Sequence, residues 1–269
     1  NQNSPVLPSI VCNQFVNLTY IFFFFCGVRF LNADSLAGCR NLLSLSIDGN
    51  LISEIPDGTF SNNPNLVMFS IVGNRVERVG VNAFAGTSLI LVDLESNRLT
   101  SLDVGTFAPI AGTLLYLLIQ NNSIAEIPDG IFNGMNELAF LNIGLNPITQ
   151  LSATIFDDLG SVIYVGLAST RLESLNSRWF ANTTAITEIT LANNPQINEL
   201  PEGLFNTLTN LQYLNLDFMN LSALNSTSFG GSLSSLYYMR ARMNLISAID
   251  PLIIESTRRF NELYLLGNI

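Results

Sequence analysis

The 269-residue chain contains neither histidine nor lysine, so all eleven of its basic residues are arginine. Without histidine, the Ser-His-Asp and Cys-His arrangements of nucleophilic catalysis cannot form. No glycine-rich phosphate loop follows a predicted strand, and the adjacent carboxylates Asp157 and Asp158 fall on predicted surface loops. We therefore expect no enzymatic activity, no catalytic or cofactor-binding residues and no cofactor.

The scarcity of positive charge also limits the partners of the chain. Charged residues make up only 12% of it, and its formal net charge is −10. Nucleic-acid binding needs a basic face that displaces counterions from phosphates, and electrostatic attachment to anionic lipid has the same requirement. We expect neither partner. The absence of histidine and of paired-cysteine spacing also argues against a metal site.

Long hydrophobic runs are missing as well. The most apolar stretch, Leu18 to Val28, reaches only about half of the roughly 20 residues that a membrane-spanning helix needs, and Arg29 follows it. No signal peptide is recognisable in the sequence. We therefore expect the numbering to begin at a mature N-terminus and the chain to contain no transmembrane segment.

The sequence does contain a repeat, seen most clearly in Leu114 to Phe132. This segment reads L-x-x-L-x-I-x-x-N-x-I-x-x-I-P-x-x-x-F, a short predicted strand followed by an asparagine, which is the spacing of a leucine-rich repeat. Units in the same phase start every 23 to 25 residues, at Leu18, Leu42, Leu66, Leu89, Leu114, Leu138, Val162, Ile186, Leu211, Leu236 and Phe260. We predict an N-terminal arm and cap over residues 1–17 and a solenoid over residues 18–269.

The predicted fold is an α/β solenoid, a leucine-rich repeat horseshoe of about eleven repeats. Its parallel β-sheet would line the concave face, with irregular or 3-10 segments on the convex side. Two columns support this prediction. Asparagine recurs at the turn, except at Cys26, Thr170 and Met219, and would satisfy inward-pointing backbone groups. A large side chain recurs eighteen residues after most starts, at Leu36, Phe60, Phe84, Phe107, Phe132, Phe156, Phe180, Phe205, Phe229 and Ile254, and would fill the core.

All three cysteines lie near the first repeat. Cys12 and Cys39 occupy the same phase of the return path one coil apart, and Cys26 occupies the turn position. Disulfide geometry needs close Cβ atoms, so Cys12 with Cys39 is the best pairing, and Cys26 would then be a buried free thiol in place of asparagine. Three free thiols are the alternative.

The repeat unit resembles the typical-class leucine-rich repeats of extracellular animal proteins. Toll-like receptor ectodomains, lamprey variable lymphocyte receptors, small leucine-rich proteoglycans and secreted insect immune proteins share it. The resemblance covers Leu18 to Ile269. It implies an extracellular protein that binds other proteins or microbial ligands on its concave face. Five N-x-S/T sequons also favour an extracellular glycoprotein, and they lie at Asn17, Asn121, Asn182, Asn220 and Asn225.

A row of apolar and aromatic residues is predicted on the concave face, two residues after each start. Its candidate partner-binding residues are Tyr116, Phe140, Tyr164, Tyr213 and Tyr238, with Arg240 beside them. Strand propensity alone accounts for such a row, since aromatic residues favour pleated surfaces. A row of binding anchors accounts for it equally. A partly basic partner would fit the acidic residues of this face, and their interpretation as solvated rim charges is the favoured alternative. They include Asp48, Asp93, Glu95, Glu188 and Asp217.

Two functions remain open from the sequence. The first is a secreted or cell-surface recognition module whose concave face binds a protein or glycan. The second is a structural glycoprotein of the extracellular matrix that self-associates into head-to-tail filaments, because the last coil, Phe260 to Ile269, carries no capping segment. Further chain beyond Ile269 that supplies a cap is the alternative explanation of that open end.

Overall fold

The computed structural model describes residues 9–257 and 260–269. Residues 1–8 of the predicted N-terminal arm lie outside the described residues. The chain divides into two compact units, Asn1–Met135 and Asn136–Ile269.

The main sheet of the first unit has five short parallel strands, and two further strands form a separate pair. Its helices are α1 (Ser9–Gln14), α2 (Ala33–Leu36) and a 3-10 turn over Ala108–Ile110. Its strands are β1 (Tyr20–Phe22), β2 (Ser44–Ser46), β3 (Glu54–Ile55), β4 (Met68–Ser70), β5 (Arg78–Val79), β6 (Leu91–Asp93) and β7 (Tyr116–Leu118). Strands β1, β2, β4, β6 and β7 pair in that order, and β3 pairs separately with β5.

The second unit repeats this plan with six parallel strands in its main sheet and a separate pair of strands. Its strands are β8 (Phe140–Asn142), β9 (Tyr164–Gly166), β10 (Glu188–Thr190), β11 (Tyr213–Asn215), β12 (Ala223–Leu224), β13 (Tyr238–Arg240), β14 (Ala248–Ile249) and β15 (Glu262–Tyr264). Its helices are α3 (Pro251–Ser256) and 3-10 turns over Ser226–Ser228 and Gly230–Ser234. Strands β8, β9, β10, β11, β13 and β15 pair in that order, and β12 pairs with β14.

Each main strand begins two residues after a predicted repeat start, and consecutive strands in a unit pair without register shift. For example, Tyr20 pairs with Ser44, and Glu188 pairs with Tyr213. The middle residue of the strand points into the core, while its two neighbours point to the opposite side of the sheet, which we call the open face. In β11, Leu214 is fully buried and Tyr213 and Asn215 are half-buried. The predicted parallel-stranded leucine-rich repeat solenoid is confirmed.

The turn asparagines connect neighbouring coils through backbone hydrogen bonds. The Oδ1 atom of Asn74 accepts the N–H of Ile52 at 3.1 Å, and its Nδ2 atom donates to the carbonyls of Ile47 and Ile71 at 3.0 and 3.1 Å. Two of these partners belong to the preceding coil, so one side chain satisfies buried groups in two coils. At the position of Met219, whose side chain is buried but cannot make these bonds, neighbouring Asn220 is exposed and donates to Pro195.

The residue before each turn residue adopts a left-handed backbone conformation. Its φ lies between +53° and +67° at Phe25, Gly49, Gly73, Ser96, Asn121, Leu145, Ser169, Asn193, Phe218 and Met243. At Gly49 an added Cβ would lie 2.3 Å from the ring of the exposed Phe25, which would have to move. The repeat therefore fixes the backbone at this position more strictly than it fixes the side chain.

The phenylalanine column fills the core of each unit. The rings of Phe60, Phe84 and Phe107 stack with centroids 6.0 to 6.1 Å apart in the first unit. In the second unit the rings of Phe156 and Phe180 stack at 5.8 Å. The prediction was wrong at Ile254, which is 55% exposed. Helix α3, begun by Asp250 as its N-cap, buries Ile253 instead, because the helix rotates successive side chains differently from the irregular turns of other coils.

The cysteines hold the first coil to its cap. Cys12 in α1 and Cys39 after α2 form a disulfide, the pairing derived from their common phase, and both are fully buried. The expectation of a buried Cys26 was wrong, because its free thiol is exposed. The Oδ1 atom of Asn50 accepts the N–H groups of both Cys26 and Val28 at 3.0 Å. The following coil thus satisfies this turn, and the Cys26 side chain is not needed inside.

Replacing Asn74 with leucine tests the role of the turn column. The substitution leaves three buried backbone groups without their side-chain partner, at about 1 to 3 kcal/mol for each buried group left unsatisfied. We expect a loss of roughly 3 kcal/mol or more in the free energy of unfolding, measured by denaturant titration. The exposed Asn82 provides the control, since Asn82→Leu should change stability by less than about 0.5 kcal/mol. Equal effects of the two substitutions would show that the turn column is not structural.

Candidate functional site

The open face of the second unit carries two groups of stacked aromatic rings. Phe140 on β8 and Tyr164 on β9 are register partners, and their rings are nearly parallel, with centroids 4.0 Å apart and planes at 5°. Aromatic rings pack well on the pleated surface of a sheet, and offset stacking of neighbouring rings adds to this. Both side chains remain half-buried, so part of each ring is available to a partner.

The second group lies at the other end of the same sheet. Tyr213 and Tyr238 are register partners on β11 and β13, with ring centroids 4.6 Å apart and planes at 7°. Tyr264 on β15 continues the group, 5.4 Å from the ring of Tyr238. Its hydroxyl donates to the Glu262 carboxylate at 2.6 Å, and this hydrogen bond is the main cause that raises the pKa of Tyr264 to about 12. We call Tyr213, Tyr238 and Tyr264 the tyrosine ladder.

An ion-pair cluster flanks the tyrosine ladder. Asp217 is buried and accepts contacts from the guanidinium groups of Arg240 at 2.8 Å and Arg242 at 2.7 Å. Its other oxygen accepts the backbone N–H of Arg242, also at 2.8 Å. Burial raises the pKa of the Asp217 carboxyl, and the attraction of Arg240 acts in the opposite direction. The interpretation of Asp217 as a solvated charge was therefore wrong, since the two arginines replace its water.

Glu188 separates the two aromatic groups. It is the first residue of β10 and is the register partner of both Tyr164 and Tyr213. Its side chain is half-buried, and desolvation raises the pKa of its carboxyl. Desolvation also raises the pKa of Tyr164, followed in size by the negative charge of Glu188. Within the part of the chain that the structure describes, no hydrogen bond or ion pair reaches the Glu188 carboxylate.

The open face of the first unit mixes apolar and polar side chains, with Tyr20 and Phe22 exposed on β1. Its candidate Tyr116 is 42% exposed on β7, whereas Ser44 and Ser46 are buried. Asp48 accepts hydrogen bonds from the hydroxyls of Ser46 at 2.8 Å and Ser70 at 2.7 Å. These contacts hold an acidic region against the sheet, in contrast with the aromatic open face of the second unit.

Asp93 is the most strongly perturbed carboxylate of the first unit. Burial of Asp93 raises the pKa of its carboxyl to about 6. The backbone N–H of Glu95 lowers this pKa, and the negative charges of Glu95 and Asp48 raise it.

No group of three or more histidine, cysteine, aspartate or glutamate residues in the described ranges has an arrangement that suits a metal ion.

The five sequon asparagines, Asn17, Asn121, Asn182, Asn220 and Asn225, all have exposed side chains. In two of them the Nδ2 atom, to which a glycan is attached, donates a hydrogen bond. Asn121 donates to the Ser96 hydroxyl at 2.8 Å, and Asn220 donates to the Pro195 carbonyl at 2.6 Å. Attachment of a glycan at these two positions would replace one of the two Nδ2 hydrogens, so that only the other could keep the bond.

Sequence reasoning located the columns of the open face but missed some members of the site. Tyr264 stands diagonally to Tyr238 rather than opposite to it, because its register partner is Arg240. The only signal in the sequence was its place two residues after Glu262 on the same strand face. The position of Glu188 between Tyr164 and Tyr213 follows from their consecutive places in the column, but its lack of an ion-pair partner among the described residues has no sequence signal.

Comparison with known proteins agrees with this geometry. A family model described as a BspA type leucine rich repeat region, in six copies, matches residues 10–112 and 111–236. The chain belongs to this leucine-rich repeat family.

In the described residues 9–257 and 260–269, no helix has the length and apolar character needed to span a bilayer.

Curated relatives of this repeat protein include three small leucine-rich proteoglycans. Keratocan from Bos taurus is 25% identical over 213 residues, which is 77% of this chain and 58% of keratocan. Fibromodulin from Sus scrofa is 27% identical over 51% of this chain and 90% of its own sequence. Lumican from Gallus gallus is 29% identical over 51% of this chain and 39% of its own. The chain thus spans a little over half the length of the keratocan that it matches.

These relatives are extracellular matrix proteins, and the predicted extracellular location is confirmed. They are non-enzymatic binding and structural proteins, in agreement with the expectation that the repeat module is not an enzyme.

Solved structures share the fold at lower identity. The Toll–Spatzle complex of Drosophila, in its glycosylated form, contains a chain that matches 97% of this protein over 38% of its own length, with a TM-score of 0.80 and 21% identity. The TLR13–ssRNA13 complex matches 98% of this protein over 42% of its own length, with a TM-score of 0.73 and 19% identity. At these identities the likeness establishes the fold alone.

Replacing Asp93 with asparagine tests the buried carboxyl of the first unit. The pKa of Asp93 in the folded protein, about 6, lies above the unfolded value of about 4. Its protonated form therefore stabilises the folded state fully below about pH 4, and this contribution is lost as the pH rises through about 6. We expect the wild type to lose thermal stability relative to Asp93→Asn between pH 4 and pH 7.

Unfolding temperatures measured across this range by circular dichroism check the prediction. Glu77→Gln, at an exposed position of the same unit, controls for the loss of one negative charge. A difference between wild type and Asp93→Asn that does not change with pH would contradict it.

Proposed function

We propose that this chain is part of a secreted glycoprotein that recognises a protein partner through the open face of its strands. The candidate contacts are Phe140, Tyr164, Tyr213, Tyr238 and Arg240 in the second unit. Tyr116 is the candidate in the first unit. The observation that carries the proposal is the presence of two pairs of half-exposed, stacked aromatic rings, Phe140 with Tyr164 and Tyr213 with Tyr238, with charged residues beside them.

Stacked tyrosines are well suited to protein recognition. A tyrosine supplies a large contact area at low cost in side-chain entropy and adds a hydroxyl that forms hydrogen bonds. In the tyrosine ladder, stacking and the contact of Arg240 with Tyr213 restrict the rings before a partner binds. Because less freedom remains to be lost, such restrained side chains bind more tightly than mobile ones.

A protein partner fits this face better than a glycan does. The apolar side of a sugar ring packs against the flat face of an aromatic ring. In both aromatic groups the flat faces are covered in part by the neighbouring ring, at 4.0 Å for Phe140 with Tyr164 and 4.6 Å for Tyr213 with Tyr238. The ring edges, the tyrosine hydroxyls and one face each of Tyr164 and Tyr213 beside Glu188 remain, and these suit the backbone and side chains of a protein.

The relatives support the same class of function. Toll occurs in complex with Spatzle in the solved structure, and TLR13 occurs in complex with an RNA, so ligand binding is found among proteins of this fold. A nucleic-acid ligand does not suit this chain, since its net charge is −10 and it contains no lysine. Glycosylation at the five exposed sequons is part of the proposal.

The double variant Tyr213→Ala and Tyr238→Ala tests the recognition function. The partner is first found by screening an array of purified extracellular proteins, and affinities are then measured by biolayer interferometry. Loss of two central aromatic anchors costs about 2 to 4 kcal/mol, so we expect affinity to fall at least about 30-fold. Tyr237→Ala is the matched control, because Tyr237 is 51% exposed but precedes β13. A folded double variant that binds like wild type removes the proposal.

Self-association is a second candidate function, supported by one observation. Phe22, Phe24 and Phe25 of the first coil are 60%, 48% and 84% exposed, which is a large apolar area for one coil. A second copy of the chain that covered them would extend the solenoid head to tail.

Light scattering of the full secreted protein over a range of concentrations tests this candidate. We expect a mass that grows with concentration, and Phe22→Ser with Phe25→Ser should reduce it to that of a monomer. A monodisperse monomer at all concentrations rules out self-association.

A further inference from the structure

The slot around Glu188 on the open face of the second unit has the features of a binding site for one cation. It is formed by three register partners on adjacent strands, Tyr164 on β9, Glu188 on β10 and Tyr213 on β11. Since neighbouring strands lie about 4.8 Å apart, the two tyrosines flank the glutamate at a separation of roughly 10 Å.

Both tyrosines turn one ring face toward this slot. The far face of Tyr164 is covered by Phe140, and the far face of Tyr213 is covered by Tyr238. The two stacked groups thus act as walls with the carboxylate of Glu188 between them. A flat or compact cationic group needs about 3.5 to 4 Å to each wall, so a slot of this width admits one such group.

Among the described residues of this site, the Glu188 carboxylate is the one without an ion-pair or hydrogen-bond partner. Asp217 has two arginine partners and Glu262 accepts the Tyr264 hydroxyl. The carboxylate of Glu188 has no such partner among the described residues, although its surroundings desolvate it and raise its pKa. Partial burial of a carboxylate weakens its hydration, so a cation that contacts it there interacts more strongly than it would at a fully exposed carboxylate.

We propose that the slot formed by Tyr164, Glu188 and Tyr213 receives a basic side chain, arginine or lysine, of the protein partner. The carboxylate supplies the ion pair, and the negative ring faces of the two tyrosines add cation–π attraction. The net charge of −10 of the whole chain favours encounter with a basic partner. This inference rests on the proposed recognition function and specifies which chemistry the partner presents at the centre of the site.

A titration with a small probe tests the slot without the partner. The probe is Nα-acetyl-arginine methylamide, and its uncharged isostere Nα-acetyl-citrulline methylamide is the matched control ligand. Binding is followed by NMR through the ring signals of Tyr164 and Tyr213 in protein with ¹³C-labelled tyrosine. We expect saturable shifts of both rings with the arginine probe and at least tenfold weaker binding of the citrulline probe.

Two isosteric variants complete the experiment. Glu188→Gln keeps the shape of the side chain but removes its charge, and we expect it to weaken the arginine probe about tenfold or more. Glu262→Gln, whose carboxylate also begins a strand of this face but accepts the Tyr264 hydroxyl, should leave probe affinity unchanged. Equal binding of the two probes, or wild-type affinity in Glu188→Gln, overturns the inference.

Failure of this inference can be told from failure of the recognition function. If the arginine probe does not bind but the Tyr213→Ala and Tyr238→Ala variant loses its partner, the face recognises a protein without a basic contact in this slot. If the probe binds and depends on Glu188 while that double variant keeps its partner, the cation slot is real and the partner binds elsewhere.

Discussion

The structure depends on the inability of any single coil to bury its own apolar side. Each main strand has only three residues, and one of them faces the core. A strand of this length is not stable alone, and its core residue is covered only when the next coil stacks on it at the strand spacing of about 4.8 Å. The period of 23 to 25 residues, the phenylalanine column and the turn asparagines all serve this stacking. The turn asparagines meet the strictest requirement, because buried backbone N–H and C=O groups need hydrogen-bond partners and the turns contain few other groups that could supply them.

The same stacking creates the open face. Since consecutive strands within a unit pair without a register shift, side chains at equivalent positions of successive repeats stand about one strand spacing apart. Aromatic side chains at that spacing stack, and acidic ones at that spacing repel unless a cation or a hydroxyl intervenes. The fold therefore converts a list of residues two positions after each repeat start into a surface with a defined order. In the second unit that order is two rings, the carboxylate of Glu188, two rings and the carboxylate of Glu262, and Tyr264 lies diagonally to Tyr238 in the neighbouring column.

The two units present different chemistry on this surface. In the first, Asp48 and Asp93 lie against serine hydroxyls and backbone groups, and little apolar area other than Met68 and Tyr116 is exposed on the strands after β1. In the second, the aromatic groups and the Asp217 cluster dominate. Asp217 shows why a charged residue near a strand is not always a binding residue. Its charge is balanced by Arg240 and Arg242 within the chain. Breaking a buried ion pair of this kind is strongly unfavourable in free energy, because it leaves a buried charge without a partner. Glu188 is half-exposed and has no such partner among the described residues, and these differences give it a proposed role.

The sequence by itself determined the repeat, the positions of the strands and the residues that share a face. It also determined the phase that brings Cys12 and Cys39 together. These follow from spacing, because the alternation of a strand and the length of a coil are properties of the local chain. Only the tertiary structure decided that Cys26 turns outward, that Ile253 replaces Ile254 in the core, and that among the described residues Asp217 is paired while Glu188 is not. The physical reason is that the partners of these side chains include groups in coils some two dozen residues away and, at Ile254, a helical turn that breaks the period, so their surroundings exist only after the coils have stacked.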